Sequence, residues 1–197
     1  MRLVLASGSP RRRALFDTLL LDFEVEAPDV DETRLPDEAP AVYVERIAAA
    51  KARTAAGEGR IVVGADTTVV HEGRVMGKPG HPEEARAMLR RLQGDVHEVF
   101  TGLAVGSWDG GPQIRSVVDV AEVEMMAMTE QEIDDYVDTG EPMDKAGSYA
   151  LQGIGGVYVA RVAGSPFTVI GLPIHLLPRL IAATGVEISS FRAPHAL

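Results

Sequence analysis

The sequence predicts an α/β protein built on a long mixed β-sheet flanked by helices. Short apolar runs rich in Val, Ile and Leu alternate with segments of helical period along the whole chain. Two pairs of runs are joined by tight turns, at Glu72-Gly73 and at Asp109-Gly110-Gly111-Pro112, so some consecutive strands are antiparallel and the sheet is mixed. The 197 residues fit one large domain or two small lobes, with ample length to bury a core. No linker, internal repeat or low-complexity segment interrupts them.

Residues 2 to 6 (RLVLA) read as a buried strand that Ser7-Gly8-Ser9-Pro10 ends. A helix follows, with Ser9 as N-cap, Pro10 as its first residue, and Ala14, Leu15, Thr18 and Leu19 on one face. Phe23, Val25 and Ala27 alternate with acids as a second strand, and the Pro-rich acidic stretch 28 to 39 reads as a loop. A second helix starts around Pro40 and runs until Gly57 and Gly59 stop it. IVVGADTTVV, residues 61 to 70, is the most strand-like segment and belongs deep in the sheet. Its return hairpin ends before Gly77-Lys78-Pro79. Pro82 opens a helix with Ala85, Leu89 and Leu92 inward, and Gly94 ends it. Residues 96 to 107 and 113 to 127 form an antiparallel pair. Thr129 with Glu132 is a capping box for a helix to about Thr139. Gly140 to Gly156 is a structured loop with five glycines, Val157 to Ala163 a strand, Pro173 to Ala183 a last helix, and the tail after Gly185 is expected to fray.

Composition excludes several function classes. With 19 basic and 29 acidic side chains the net charge is −10, which argues against a general nucleic-acid surface or an anionic-membrane surface. An anionic ligand must therefore be held by a local cluster. Zero cysteines exclude disulfides, thiol nucleophiles and thiolate metal sites. No apolar run reaches 18 residues and the first apolar stretch is short, so a cytoplasmic chain without a membrane span is expected.

The first candidate cluster is Ser7-Gly8-Ser9-Pro10-Arg11-Arg12-Arg13, a strand, a small-residue loop and a helix whose first turn is triply basic. Helices ordinarily place acids there because the N-terminal end of the macrodipole is already positive. Free N–H groups, hydroxyls and guanidinium forks make this a phosphate pocket once an anion is present. The competing reading is a solvated basic turn facing the acidic loop. Only three of the basic residues are lysines: Lys51, Lys78 and Lys145. Each lies in an unusual setting, and a compact ammonium can approach phosphate where a planar guanidinium does not fit.

Asp66 ends an apolar run with Gly64 beside it. A buried carboxylate is paired, protonated or metal-bound. With Glu32 or Asp31 it could hold Mg²⁺, which takes a few carboxylate oxygens plus substrate phosphate; alternatively it could deprotonate an attacking water or form an internal salt bridge to a lysine. Other motifs fail. Gly73 to Lys78 is one residue short of a Walker A loop, and Pro79 stands where that loop needs a hydroxyl. Gly153-Ile154-Gly155-Gly156 precedes a strand and lacks dinucleotide spacing. His97 lies among strand residues and reads as a structural histidine.

Taken together, LASGSPRRR, ERIAAAKA, GADTTVV, GKP, GDVHEVFTGLAV, GEPMDKAGSYALQGIGG and VIGLP resemble the Maf family of nucleoside triphosphate pyrophosphatases from Leu3 to about Ile181. The resemblance implies a single domain over the chain, related to inosine triphosphate pyrophosphatases, with two lobes around a central cleft. It implies hydrolysis of a nucleoside triphosphate to the monophosphate and pyrophosphate with a divalent cation, Mg²⁺, Mn²⁺ or Co²⁺. Asp66 matches the family's proton acceptor. Ser7, Arg12, Lys51 and Lys78 match residues that grip phosphate, and Glu32 an acidic position near the metal. Arg11, Thr67 and Gln152 match the subgroup acting on dTTP and UTP; the relative acting on 7-methyl-GTP has Trp, Gln and Glu there. A Gln amide donates and accepts together, which suits the edge of thymine or uracil. Ser165-Pro166-Phe167-Thr168 precedes VIGLP where relatives often carry Asn, and Pro166 sets this loop apart. The resemblance also implies that homodimers are common and that a nucleotide-sensing role in septum formation is the alternative from another class.

Overall fold

The computed structural model of the protein describes residues 1–193. Its strands form a seven-stranded sheet in the order β2-β1-β3-β5-β6-β7, with β4 pairing β3. The strands are β1 (Arg2–Ala6), β2 (Phe23–Val25), β3 (Arg60–His71), β4 (Arg74–Met76), β5 (Val96–Ser107), β6 (Gln113–Met125) and β7 (Val159–Ala163). β1 runs parallel to β2 and β3, whereas β4 on β3 and β7 on β6 are antiparallel, so the sheet is mixed as expected. Among the described residues no helix is long and apolar enough to cross a membrane. The backbone divides into two compact units. One comprises Met1–Asp66, Thr101–Asp119 and the segment from Gly171 onward, and the other Thr67–Phe100 and Val120–Ile170.

In the first unit, α1 (Pro10–Thr18) begins as predicted, with Ser9 as N-cap and Pro10 at its start. Its inner face differs. Arg12, Leu15 and Phe16 are buried, whereas Ala14 and Thr18 are exposed. The largest apolar side chain decides the rotation: Phe16 is fully buried and meets Phe23 edge-to-face with ring centroids 5.0 Å apart. Burying Phe16 turns Arg12 inward.

Helix α2 (Pro40–Thr54) lies close on the sheet through a small-residue stripe. A Cβ on Gly64 of β3 would sit 2.3 Å from the Ala48 carbonyl oxygen and 2.7 Å from the Ala52 nitrogen. One on Gly102 of β5 would sit 2.3 Å from the Val44 carbonyl oxygen. Val44, Ala48 and Ala52 follow one another at single-turn spacing, so a seam of helix backbone rests on two glycines. Ala48, Ala49, Ala52 and Ala55 share a core with Val4, Ala6, Val62 and Ala104.

Residues 186–193 depart from the expected frayed tail, whose last four residues lie outside the described residues. Ile188–Phe191 form a 3₁₀ turn, Phe191 is buried, its carbonyl accepts the Asp22 N–H at 2.6 Å, and Arg192 bridges Leu21. The last helix is shorter than predicted, α6 (Leu177–Ala182). Pro178 lacks an N–H and restricts the residue before it, so the helix can start only in the turn that contains it.

In the second unit, α3 (Pro82–Leu92) buries Ala85, Leu89 and Leu92 as predicted, against Ile133, Tyr136 and Val137 of α4 (Glu130–Asp138). Thr129 and Glu132 make both bonds of the capping box. The Gly-rich stretch folds into 3₁₀ turns at Glu141–Asp144, Ala146–Ser148 and Ile154–Tyr158, the last of which delays β7 to Val159. Pro166 opens a short helix, α5 (Pro166–Ile170). His97 is structural: its Nε2 lies 2.8 Å from the Tyr149 hydroxyl, and burial pushes its pKa down to about 4, so the ring is neutral.

Candidate active site

The first unit brings five of the predicted residues together. Where β1 gives way to α1, the Ser7 Oγ accepts the Ser9 N–H and an Arg12 Nη1–H, both at 3.2 Å. Arg12 Nε donates to the Gly171 carbonyl at 2.7 Å. Burial lowers the Arg12 pKa, and nearby Asp66 offsets the shift in part. The first turn of α1 holds no acid and Ser9 makes no side-chain cap, so only cationic side chains stand at the positive end of the helix. Arg11 is half-buried and Arg13 exposed.

At the other end of the cluster, the buried Lys51 of α2 donates through Nζ to Asp66 Oδ1 and to Glu32 Oε1, each at 2.7 Å. The salt bridge considered for Asp66 is therefore present, with Glu32 as a second acceptor. Burial raises the Asp66 pKa above the ordinary carboxylate range, Lys51 and Arg12 pull it down, and Glu32 pushes it up. The result is a carboxyl paired with its lysine and more basic than a free one. Of the two acids offered as its companion, Glu32 reaches the lysine. Asp31 instead accepts the Thr33 N–H at 2.8 Å in an exposed loop.

Glu32 is held in place by residues that sequence reasoning missed. Tyr43 donates its hydroxyl to the Glu32 carbonyl at 3.0 Å. Arg46 Nε and Nη2 fork onto Glu38 Oε1 and Oε2 at 2.6 and 2.8 Å, and Nη2 also meets the Thr33 carbonyl at 3.1 Å. No periodic signal joins a helix to an irregular loop, so these pairs had none in the sequence. Hydrogen bonding to Arg46 holds the Glu38 carboxyl at about 2, against 4.5 for an ordinary Glu. Because the folded value is depressed, this contribution is complete above the ordinary value and is lost as pH falls through the folded one. The urea-midpoint difference between wild type and Glu38→Gln is expected to be constant near neutrality and to shrink steadily below pH 4.5. A difference that does not change with pH in urea titrations would remove this pairing.

The other three residues belong to the second unit. Thr67 follows Asp66 on β3 and is half-buried. Lys78 is exposed on a short segment whose Gly77 carbonyl accepts the Gly147 N–H at 3.2 Å and whose Gly80 N–H donates to Glu84 Oε2 at 2.7 Å. Gly147 has φ +70, and a Cβ there would meet Val69 at 2.9 Å. Gln152 is exposed on the loop after Tyr149. The third lysine is turned into its own loop: Lys145 Nζ donates to the Glu141 carbonyl at 2.7 Å and to the Asp144 carboxylate.

Among the described residues no group of three or more His, Asp or Glu could hold a metal ion. Glu32 and Asp66 nevertheless turn one oxygen each toward the same ammonium. Such a pair fits Mg²⁺-type ions, which are held by one or two carboxylates and complete their shell with water and phosphate oxygens.

The family profile described as Maf-like protein matches residues 2–184. A dTTP/UTP pyrophosphatase of Hahella chejuensis is 45% identical over 96% of this chain and 95% of its own. One from Anaeromyxobacter dehalogenans is 48% identical over 93% and 94%. Among solved structures, a nucleoside-triphosphatase / dITP/XTP pyrophosphatase from Mycobacterium abscessus is 14% identical over 93% of this chain and 97% of that one, with a TM-score of 0.42. With nearly the whole chain matched by one family and its relatives, the protein belongs to the Maf-like family.

Proposed function

We propose that this protein hydrolyses dTTP and UTP to the nucleoside monophosphate and pyrophosphate. The observation that carries this reading is Asp66: buried, bonded to Lys51 that also holds Glu32, and made more basic by its burial. The names of its relatives, dTTP/UTP pyrophosphatases, support the same chemistry.

In this reading Ser7, Arg12, Lys51 and Lys78 hold the phosphates and offset the charge that gathers on the departing pyrophosphate. Asp66 orients a water and takes its proton as the water oxygen bonds to the α-phosphorus and the bond from that phosphorus to the α,β-bridging oxygen breaks. Glu32 and Asp66 would hold a divalent cation, which supplies further charge neutralisation at the phosphate oxygens. Arg11, Thr67 and Gln152 select the base, with the Gln152 amide donating to a pyrimidine carbonyl and accepting from its N–H.

The test is product analysis with dTTP and Mg²⁺. Thymidine monophosphate and pyrophosphate are expected; thymidine diphosphate and inorganic phosphate would overturn the cleavage position. Across a nucleotide panel, kcat/KM for dTTP and UTP is expected to exceed that for dGTP by about 10²-fold, as polar pockets discriminate. Preference for 7-methyl-GTP would reassign Arg11, Thr67 and Gln152.

A further inference from the structure

The Gly153-Ile154-Gly155-Gly156 motif has no dinucleotide role, and the geometry around it points to another. We propose that Glu141 is a positioning residue for base selection, its carboxylate holding the backbone of the loop that presents Gln152. The inference rests on the reading that Gln152 meets the base.

Glu141 opens the first 3₁₀ turn after α4, and its carboxylate is received by backbone rather than by a cation. Ile154 N–H donates to Oε1 at 3.0 Å, Gly155 N–H to Oε2 at 2.9 Å, and the Tyr136 hydroxyl to Oε2 at 2.7 Å. The same hydroxyl accepts the Ala150 N–H at 3.1 Å. Both ends of the segment 150–155 are thus tied to one carboxylate, directly or through Tyr136, with Gln152 between them. The residue before this segment is also fixed, through the Tyr149 hydroxyl bonded to His97.

The glycines follow from this closeness. A Cβ on Gly153 would lie 2.0 Å from Glu141 Oε1, and one on Gly155 2.3 Å from the Tyr136 hydroxyl oxygen. The loop therefore wraps an internal anion, where the dinucleotide motif would wrap a ligand phosphate. Tyr136 is itself fixed, being 1% exposed in the core that α3 and α4 share. Burial raises the Glu141 carboxyl, but the Gly155 N–H, the Tyr136 hydroxyl and the Ile154 N–H outweigh it and hold the group below its usual range. Two oxygens serve three donors, which an amide cannot reproduce: Gln at this position keeps one acceptor and turns an NH₂ toward a donor.

The experiment compares wild type, Glu141→Gln, Tyr136→Phe, Gln152→Ala and the double variant Glu141→Gln/Gln152→Ala. It measures kcat and KM on dTTP and dGTP, and inhibition by tripolyphosphate, a base-free probe of the phosphate site. Glu141→Gln is expected to raise KM for dTTP and to reduce the dTTP-over-dGTP preference, each about tenfold, the scale of one charged hydrogen bond. The tripolyphosphate Ki is expected to move less than about twofold, and the double variant to be no worse than Gln152→Ala, because the two act as one unit. Tyr136→Phe is expected to shift preference in the same direction by a smaller factor, and it decides the matter if Glu141→Gln does not fold. Preference lost in Gln152→Ala but kept in folded Glu141→Gln or Tyr136→Phe would overturn the role of Glu141 alone. Preference kept in Gln152→Ala would overturn the reading of Gln152 and this inference with it. A parallel loss on tripolyphosphate would reduce Glu141 to a general structural residue, against the proposal.

Discussion

Asp66→Asn is expected to lower kcat on dTTP by about 10²- to 10⁴-fold, the usual contribution of a positioned general base. Asn keeps the shape and can still accept from Lys51 through its carbonyl, so the local packing survives. It cannot take a proton from water. Removing one buried negative charge leaves Lys51 with Glu32 as its partner, so nucleotide affinity is expected to persist. The pH profile gives a second readout. The Asp66 pKa is raised by burial, so wild-type kcat/KM is expected to fall on acidification through a value above the ordinary 3.8. That limb should be missing from the residual rate of the variant. Single-turnover release of pyrophosphate, with nucleotide binding measured calorimetrically, checks both; turnover close to wild type would remove Asp66 as the base.

Gly64→Val is expected to destabilise the fold by about 3 kcal/mol, the upper part of the range for overpacking. The atoms in the way are the Ala48 carbonyl oxygen and the Ala52 nitrogen, 2.3 and 2.7 Å from the new Cβ. These are helix backbone, and no rotamer change relieves them. Helix α2 has to lift from the sheet, and Lys51 lifts with it. Because the Lys51 bond to Asp66 spans only 2.7 Å, activity should fall alongside stability. Urea midpoints and kcat on one preparation test this. An unchanged midpoint would show that the seam is looser than the structure has it.

Much of the fold was legible because it is local. Ser9-Pro10, Pro82, Thr129 with Glu132 and Glu72-Gly73 mark element ends with their own chemistry, and each lies where the sequence placed it. The errors arose where distant residues decide. The face of α1 depends on Phe16 meeting Phe23, and the 3₁₀ turn at Ile188–Phe191 docks because the Phe191 carbonyl takes the Asp22 N–H. For the candidate site, Asp66 and Lys51 stood out as odd residues in apolar surroundings. Arg46, Glu38 and Glu141 did not, since a charged residue whose partner is a remote loop looks like any solvated one.

The Lys51 bridge also sets the electrical state of the cluster before any ligand arrives. Within a chain of net charge −10, the carboxylates of Glu32 and Asp66 are already answered by Lys51, with Arg12 acting on both. A free divalent cation entering alone must compete with an ammonium that already sits on both carboxylates. A cation carried in on a triphosphate brings its own anion, which the helix N-terminus and Arg12 can receive. Under the proposed function, the order of arrival is then set by charge balance: metal and nucleotide enter as one complex rather than in sequence.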